Sequence, residues 1–262
     1  MRAEYIPRWG LVTDGPPVVT NSGQLLPVLF HGTPAMLKLS TQQEERAGAA
    51  LMAWWQGDGA ARVLAHEGPA LLLERAPGGM ALAEMARHGR DDEASNILCA
   101  VVARLHAPRP EPPPALTDLS TWFQGLEACA AARGGIFATA AATARDLLAS
   151  ARDVGVLHGD IHHGNVLDFG PRGWLAIDPK GLWGERGFDY ANLFCNPDAE
   201  TATSPERFLR RLEVVAASAG LERRRLLQWI LAWAGLSACW HLEDGSAPDT
   251  ALAMAHMASA HL

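Results

Sequence analysis

The chain has 262 residues, 48% of them hydrophobic and 19% charged, enough for one large domain or two lobes around a substantial core. Its formal charge of −7 repels nucleic-acid phosphate and suits a cationic small molecule instead. Cys99, Cys129, Cys195 and Cys239 are scattered and form no CxxC pair, so neither a zinc site nor a disulfide framework is expected, only buried free thiols in a reducing cytoplasm.

The N-terminus lacks an apolar leader, because Glu4, Pro7, Asp14, Pro16 and Pro17 interrupt it. Residues 10–40 read as strands, with a turn at Thr20-Asn21-Ser22-Gly23. Ala35–Leu39 is a short apolar strand carrying Lys38. Residues 42–56 read as a helix with Ala47, Ala50, Leu51 and Trp54 on one face, and two further strands are expected near 62–65 and 71–74. Pro77-Gly78-Gly79 then breaks the chain. This places an N-terminal lobe at 1–76, a hinge at 73–77 and a C-terminal lobe at 78–262. A helix is expected over 91–106, followed by five prolines between 108 and 114 that form a stiff connector. More helices are expected at 118–132, 137–151, 205–219, 222–240 and 249–260. The most apolar stretch, Leu226 to Trp240, contains Gln228 and is too short to span a bilayer, so it reads as a buried helix. A small strand-rich lobe before a larger helical one is an α+β order; a regular β-α alternation would indicate a Rossmann-type fold.

Residues 157–178 carry the most specific chemistry. Asp160 and Asn165 share one short loop in His158-Gly159-Asp160-Ile161-His162-His163-Gly164-Asn165, and an apolar strand delivers Asp178. Phosphoryl transfer needs such a set: a carboxylate to orient the attacking hydroxyl, and an amide with a second carboxylate to hold Mg2+. The four-residue gap from Asp160 to Asn165 matches the protein-kinase catalytic loop, although Gly159 stands where that loop has arginine. Lys38 and Lys180 are the only lysines in the chain. Lys38 sits in an apolar run, needs a partner there and fits the lysine that grips the ATP phosphates. Glu45 or Glu44 could pair with it, Glu45 being preferred. No GxGxxG occurs near residues 15–30, so the backbone amides of Asn21, Ser22 and Gly23 are the candidates for covering the phosphates.

The clustered histidines also admit a metal-dependent hydrolase. Against it, the order HGDIHH differs from the usual HxHxDH, and no later histidine precedes His241. A catalytically inactive nucleotide-binding module should lack Lys38, Asp160, Asn165 or Asp178, and all four are present. His158 is expected to hold the loop by bonding backbone near Asp178, with His162 and His163 packing the loop or edging the substrate.

The run His158–Asn165 resembles the HGDxxxxN motif of aminoglycoside phosphotransferases. Ile177-Asp178 is similar to the family's next signature, and Phe188-Asp189-Tyr190-Ala191-Asn192-Leu193 to the one after it. These motifs cover 157–194, and the lobe pattern extends the likeness over nearly the whole chain. Trp54-Trp55, Leu105-His106-Ala107-Pro108, Arg172-Gly-Trp-Leu-Ala-Ile-Asp-Pro and Trp229-Ile-Leu-Ala-Trp233 resemble the streptomycin 6-kinase and hydroxyurea resistance kinase branch. The resemblance implies a two-lobed protein-kinase-like fold, with a small antiparallel-sheet N-lobe and a larger helical C-lobe. It implies ATP-dependent O-phosphorylation, conferring resistance, of an aminoglycoside hydroxyl, that of streptomycin at the 6-position. Asp160 would be the catalytic residue, Asn165 and Asp178 the magnesium ligands, and Asp189 a brace for the loop. The Glu74 carbonyl and Ala76 amide would meet the adenine. The acceptor pocket would lie between the loop and the C-terminal helices, with His162, Asp198, Glu200, Glu243 and Asp244 as polar candidates. Trp240 or Trp183 could stack on a guanidinium. A cytoplasmic monomer that binds neither nucleic acid nor membrane is implied. The alternative acceptor is another small hydroxylated metabolite, choline-like or a sugar.

Overall fold

The computed structural model describes residues 2–20, 23–40 and 42–262. It begins with a helix that nothing in the sequence signals, α1 (Arg2–Arg8). Six strands follow among the described residues: β1 (Leu11–Thr13), β2 (Val18–Thr20), β3 (Gly23–Phe30), β4 (Thr33–Leu39), β5 (Val63–Glu67) and β6 (Ala70–Glu74). They form one antiparallel sheet in the order β1-β3-β4-β6-β5, with β2 on β3. Side chains alternate between the faces of a strand. Leu26, Val28, Leu37, Leu39 and Leu72 accordingly close a small core with Tyr5 and Leu11, whereas Leu71 and Leu73 join the main core. Lys38, between Leu37 and Leu39, projects the other way, toward α2 (Gln43–Trp55) and an ion pair with Glu45.

On α2 the buried stripe is Gly48, Leu51, Met52 and Trp55, an i, i+3, i+4, i+7 set. The stripe expected from the sequence was displaced by about one position. Trp54 instead donates its indole N–H to the Glu111 carbonyl (3.0 Å) and lies under the Arg109 guanidinium (5.1 Å to the ring), so the proline connector covers this face. Gly48 is where α2 passes closest to the segment bearing Asp178, and a Cβ there would collide with the Pro179 carbonyl. Gly48→Ala should therefore cost about 1–3 kcal/mol of stability by overpacking. Thermal unfolding checks this, and an unchanged Tm would rule out the tight approach.

Beyond the break come α3 (Leu82–Arg87), another unsignalled helix, α4 (Asp91–Leu105) and β7 (Thr117–Asp118). The helix expected over 118–132 is two, α5 (Leu119–Trp122) and α6 (Gln124–Arg133). Phe123 between them is buried in the core against Phe188 and Trp229, with ring centroids 5.9 and 6.3 Å away. Next are α7 (Gly135–Ala149), β8 (Val154–Leu157), β9 (Val166–Asp168), β10 (Trp174–Ala176) and β11 (Leu182–Glu185). The chain closes with α8 (Ala199–Ala202), α9 (Pro205–Ala219), α10 (Arg223–Glu243) and α11 (Asp249–Ala260). Local chemistry sets the ends of α9: the Ser204 hydroxyl caps Arg207 N, Pro205 opens the first turn, and Gly220 at φ 60° ends it.

α10 is buried nearly all round from Arg225 to Cys239 and forms the pillar of the helical lobe. Its one internal charge is matched. Arg225 donates to Glu185 at 2.9 and 2.6 Å, and Trp229 donates to the same carboxylate at 2.8 Å. All four cysteines are free, but only Cys99 and Cys239 are buried. Cys129 is partly exposed because α6 is a surface helix that buries only Leu126, and Cys195 is also partly exposed. No described helix is long and apolar enough to cross a membrane.

Sheet and helices meet along β10. Ala61 N donates to Ala176 O and Ala176 N to Gly59 O, both at 2.9 Å, while Arg172 pairs with Glu74 and donates to Gly57 O (2.6 Å). The catalytic-type motif of residues 158–178 lies directly beside this seam.

Candidate active site

The loop after β8 is held by one buried carboxylate. Asp189 accepts the backbone N–H groups of His158 (2.8 Å) and Gly159 (2.7 Å), and its Oδ2 lies 2.8 Å from His106 Nε2. Burial opposes its ionisation most strongly, yet the His106 bond and the surrounding donors hold its pKa below the ordinary carboxylate value. His158 is fully buried, which lowers its pKa and keeps the ring neutral. That tautomer serves both sides of the loop: Nε2 donates to Ile177 O (2.9 Å), and Nδ1 accepts from Asp160 N (3.2 Å). Gly159 has φ 87°, and a Cβ there would lie 2.9 Å from Leu182 and 3.0 Å from the Lys180 Cβ. The arginine of protein kinases has no room at this position.

Beyond the loop, Asn165 donates its side-chain N–H to Asp160 O (2.9 Å), which fixes the amide and leaves its oxygen free to face a ligand. Its backbone carbonyl accepts from Ile177 N (2.9 Å), so the β9–β10 hairpin returns Asp178 to the loop. Asp178 adopts φ 64°, an uncommon conformation for a non-glycine residue, and its carboxylate pairs with Lys38, which also pairs with Glu45. Asp160 Oδ1 accepts from Asn192 Nδ2 at 2.7 Å, and Oδ2 lies 4.0 Å from Lys180 Nζ. His162 Nε2 is 3.9 Å from Asp160 Oδ1, and burial lowers the pKa of this histidine.

The donors at the Asp178 end are oxygens, one amide and one carboxylate. That set fits Mg2+, which takes few protein ligands and completes its shell with water and phosphate. It does not suit zinc. No group of three His, Cys, Asp or Glu among the described residues is arranged to hold a metal. Both ring nitrogens of His158 are committed, and His163 is buried with neither nitrogen partnered. Burial, helped by the charge of Arg211, lowers the His163 pKa to about 3.

A cavity of about 680 Å³ opens beside Asp160. His162, Asp198 and Trp240 line it together with Trp122, Trp233 and Asn192. Asp198 is already engaged: it caps Thr201 N (2.9 Å) and receives Arg87 (2.7 Å), which hold its pKa at about 2. Glu200, Glu243 and Asp244 are exposed and do not line the cavity. Glu243 projects about 200° round α10 from His241 at 100° per residue, and Asp244 is the C-cap beyond the cavity's end. Trp183 faces a separate groove beside Trp54 and the proline connector. Asn21, Ser22 and the side chain of Glu44 lie outside the described residues. Gly23 begins β3, paired with Thr20, and Ala76 is half-buried just past β6. The Glu74 carboxylate is occupied by Arg172 and by Arg62 N (2.6 Å).

Sequence reasoning passed over Asn192, Lys180 and His106 as site residues. Their signals were present. Asn192 follows Asp189 by three positions, His106 sits in a run already noted, and Lys180 is one of two lysines.

A family model described as aminoglycoside/hydroxyurea antibiotic resistance kinase matches residues 8–245. The chain belongs to this family. Its members are phosphotransferases with an alcohol group as acceptor, and the kinase is 54% identical over 243 residues to a streptomycin 3''-kinase of Klebsiella pneumoniae, covering 91% of each chain. It is 34% identical over 269 residues to a streptomycin 6-kinase of Streptomyces griseus, covering 93% of this chain and 82% of the other. Among solved structures, an amicoumacin kinase in complex with AMP-PNP, Ca2+ and Ami superposes with a TM-score of 0.66 at 13% identity, covering 98% and 92%. The α+β, two-lobed protein-kinase-like fold expected from the motif order is therefore the fold of this kinase.

Proposed function

We propose that the protein transfers the γ-phosphoryl group of ATP to a hydroxyl of streptomycin. The observation that carries this reading is the linkage of three groups: Asp160 lines the cavity, Asn165 bonds its backbone carbonyl, and the Asn165 carbonyl in turn holds Ile177 N beside the Lys38-linked Asp178. The nucleotide lies in the cleft between an N-terminal lobe at 1–76 and a C-terminal lobe at 78–262, with the adenine at the 73–77 hinge. Lys38, fixed by Glu45, grips its phosphates. Asn165 and Asp178 would hold Mg2+, which when bound would supply positive charge to those phosphates. Asp160, oriented by Asn192, accepts the hydrogen bond of the acceptor hydroxyl, aims it in line and takes its proton. No covalent phosphoenzyme is needed, since positioning and charge stabilise a loose transition state. The kinase acts as a cytoplasmic monomer.

The cavity suits a guanidinium-bearing acceptor through its tryptophans, Trp122 and Trp240 meeting edge-on at 5.6 Å. The sequence motifs pointed to the 6-hydroxyl. Identity of 54% with a 3''-kinase, against 34% with 6-kinases, favours the 3''-hydroxyl instead. Incubation with Mg·ATP and streptomycin, followed by phosphorus and proton NMR of the product, locates the phosphate. A phosphate on the N-methylglucosamine ring is expected. Phosphorylation of the streptidine ring would restore the 6-position, and unmodified streptomycin with active transfer to choline or a simple sugar would reject the substrate.

A further inference from the structure

We infer that Lys180 is a catalytic residue whose ammonium binds the phosphoryl group while it passes from nucleotide to acceptor. The inference rests on the phosphotransferase reading of the site above. Four observations carry it.

First, the chain has 20 arginines by its composition but only two lysines, and both stand at this site: Lys38 on Asp178 and Lys180 beside Asp160. Second, Lys180 is the only Lys or Arg among the described residues lining the 680 Å³ cavity. A fixed positive charge repels a cationic acceptor but attracts the phosphoryl group, the anion the reaction delivers to this cavity. Third, the ammonium is not needed to orient Asp160. Asn192 already holds that carboxylate at 2.7 Å, whereas Lys180 stays 4.0 Å away, beyond hydrogen-bond length. Fourth, the backbone is built to present this side chain. Lys180 N donates to His158 O at 2.7 Å, the preceding carbonyl of Pro179 abuts Gly48, and the absent side chain of Gly159 leaves room for the Lys180 Cβ. The residue thus springs from between the metal-side carboxylate, Asp178, and the acceptor-side carboxylate, Asp160. The transferring group must cross the space between those two. Burial lowers the pKa of His162, which also lines the cavity, and so disfavours its charged form.

In the step, the acceptor oxygen forms a bond to Pγ as the bond from Pγ to the β,γ-bridging oxygen breaks. The bridging electron pair leaves with ADP, and the hydroxyl proton passes to Asp160. Lys180 donates hydrogen bonds to the equatorial oxygens throughout and neither gains nor loses a proton. A compact ammonium suits this shared position better than a planar guanidinium, whose fork would reach both carboxylates.

The test compares the parent with Lys180→Ala and Lys180→Arg. Lys180→Ala should lower kcat about 10²–10³-fold, the usual effect of removing one donor to developing charge, with the KM values for ATP and streptomycin within about threefold. Millimolar ethylammonium should restore part of the lost kcat in Lys180→Ala and leave the parent unchanged, which no purely structural role would produce. A kcat within about threefold of the parent, or a loss that amine does not rescue and that follows weakened ADP binding, would overturn the assignment. Affinity for ADP with magnesium and aluminium fluoride, which mimics the group in flight, keeps this separate from the identity of the acceptor. It should fall in Lys180→Ala while affinity for ADP alone holds, even if streptomycin proves to be the wrong substrate. Equal loss of both affinities would contradict the inference.

Discussion

Asp160→Asn is expected to lower kcat about 10²–10⁴-fold while changing affinity for a non-hydrolysable ATP analogue by less than about threefold. The substitution keeps the shape and the contact with Asn192 Nδ2, because the amide oxygen can still accept where Oδ1 now does at 2.7 Å. It removes the negative charge that aligns the hydroxyl and receives its proton. Nucleotide affinity should survive, because the bonds of the groups assigned to it, Lys38, Glu45, Asn165 and Asp178, do not involve the Asp160 carboxylate; Asn165 bonds the Asp160 backbone carbonyl instead. Single-turnover transfer alongside equilibrium analogue binding separates the two effects. A variant that turns over at the parent rate would remove Asp160 from the chemistry. One that loses nucleotide binding in proportion to activity would make it a structural residue.

Asp189→Ala is expected to destabilise the fold by about 3–5 kcal/mol, a large share of the roughly 5–15 kcal/mol typical of such proteins. The carboxylate is 1% exposed and satisfies two backbone donors and His106, so its removal strands all three in the core. Asp189→Asn should cost less than Ala but still destabilise, since an amide has one accepting oxygen and puts a donor NH2 where the second carboxylate oxygen accepts. The pH dependence has a definite sign. The folded pKa is depressed below the unfolded value, so the stabilisation is fully present above the unfolded value near about pH 4 and is lost as pH falls through the folded one. The gap between parent and variant in urea unfolding should therefore be widest near neutrality and narrow in acid. A gap independent of pH would mean that the charge of Asp189 contributes nothing.

Much of this architecture is written in local pattern. The apolar run with one lysine becomes β4, and strand alternation alone sends Lys38 toward α2 while Leu37 and Leu39 go to the core. The ends of α9 follow from Ser204, Pro205 and Gly220. The loop from 158 to 165 is legible because its spacing is chemically constrained. Features that depend on partners far along the chain were not legible. The split between α5 and α6 follows from the packing of Phe123 on Phe188 and Trp229. The Glu185–Arg225–Trp229 cluster joins residues about forty positions apart, and nothing local marks Glu185 as buried. The acceptor pocket suffered most. Glu243 and Asp244 carry the expected charge, but they lie at and just past the end of α10, off the cavity lining, and composition does not encode that placement.

The decisive observation is a crystal structure of the parent with streptomycin, magnesium and a non-hydrolysable ATP analogue. One streptomycin hydroxyl should lie about 2.6–3.2 Å from the Asp160 carboxylate and in line with the γ-phosphorus, with Asn165 and Asp178 on the shared metal ion. A triphosphate bound away from Asn165 and Asp178, or an antibiotic whose hydroxyls all lie out of reach of Asp160, would contradict the account.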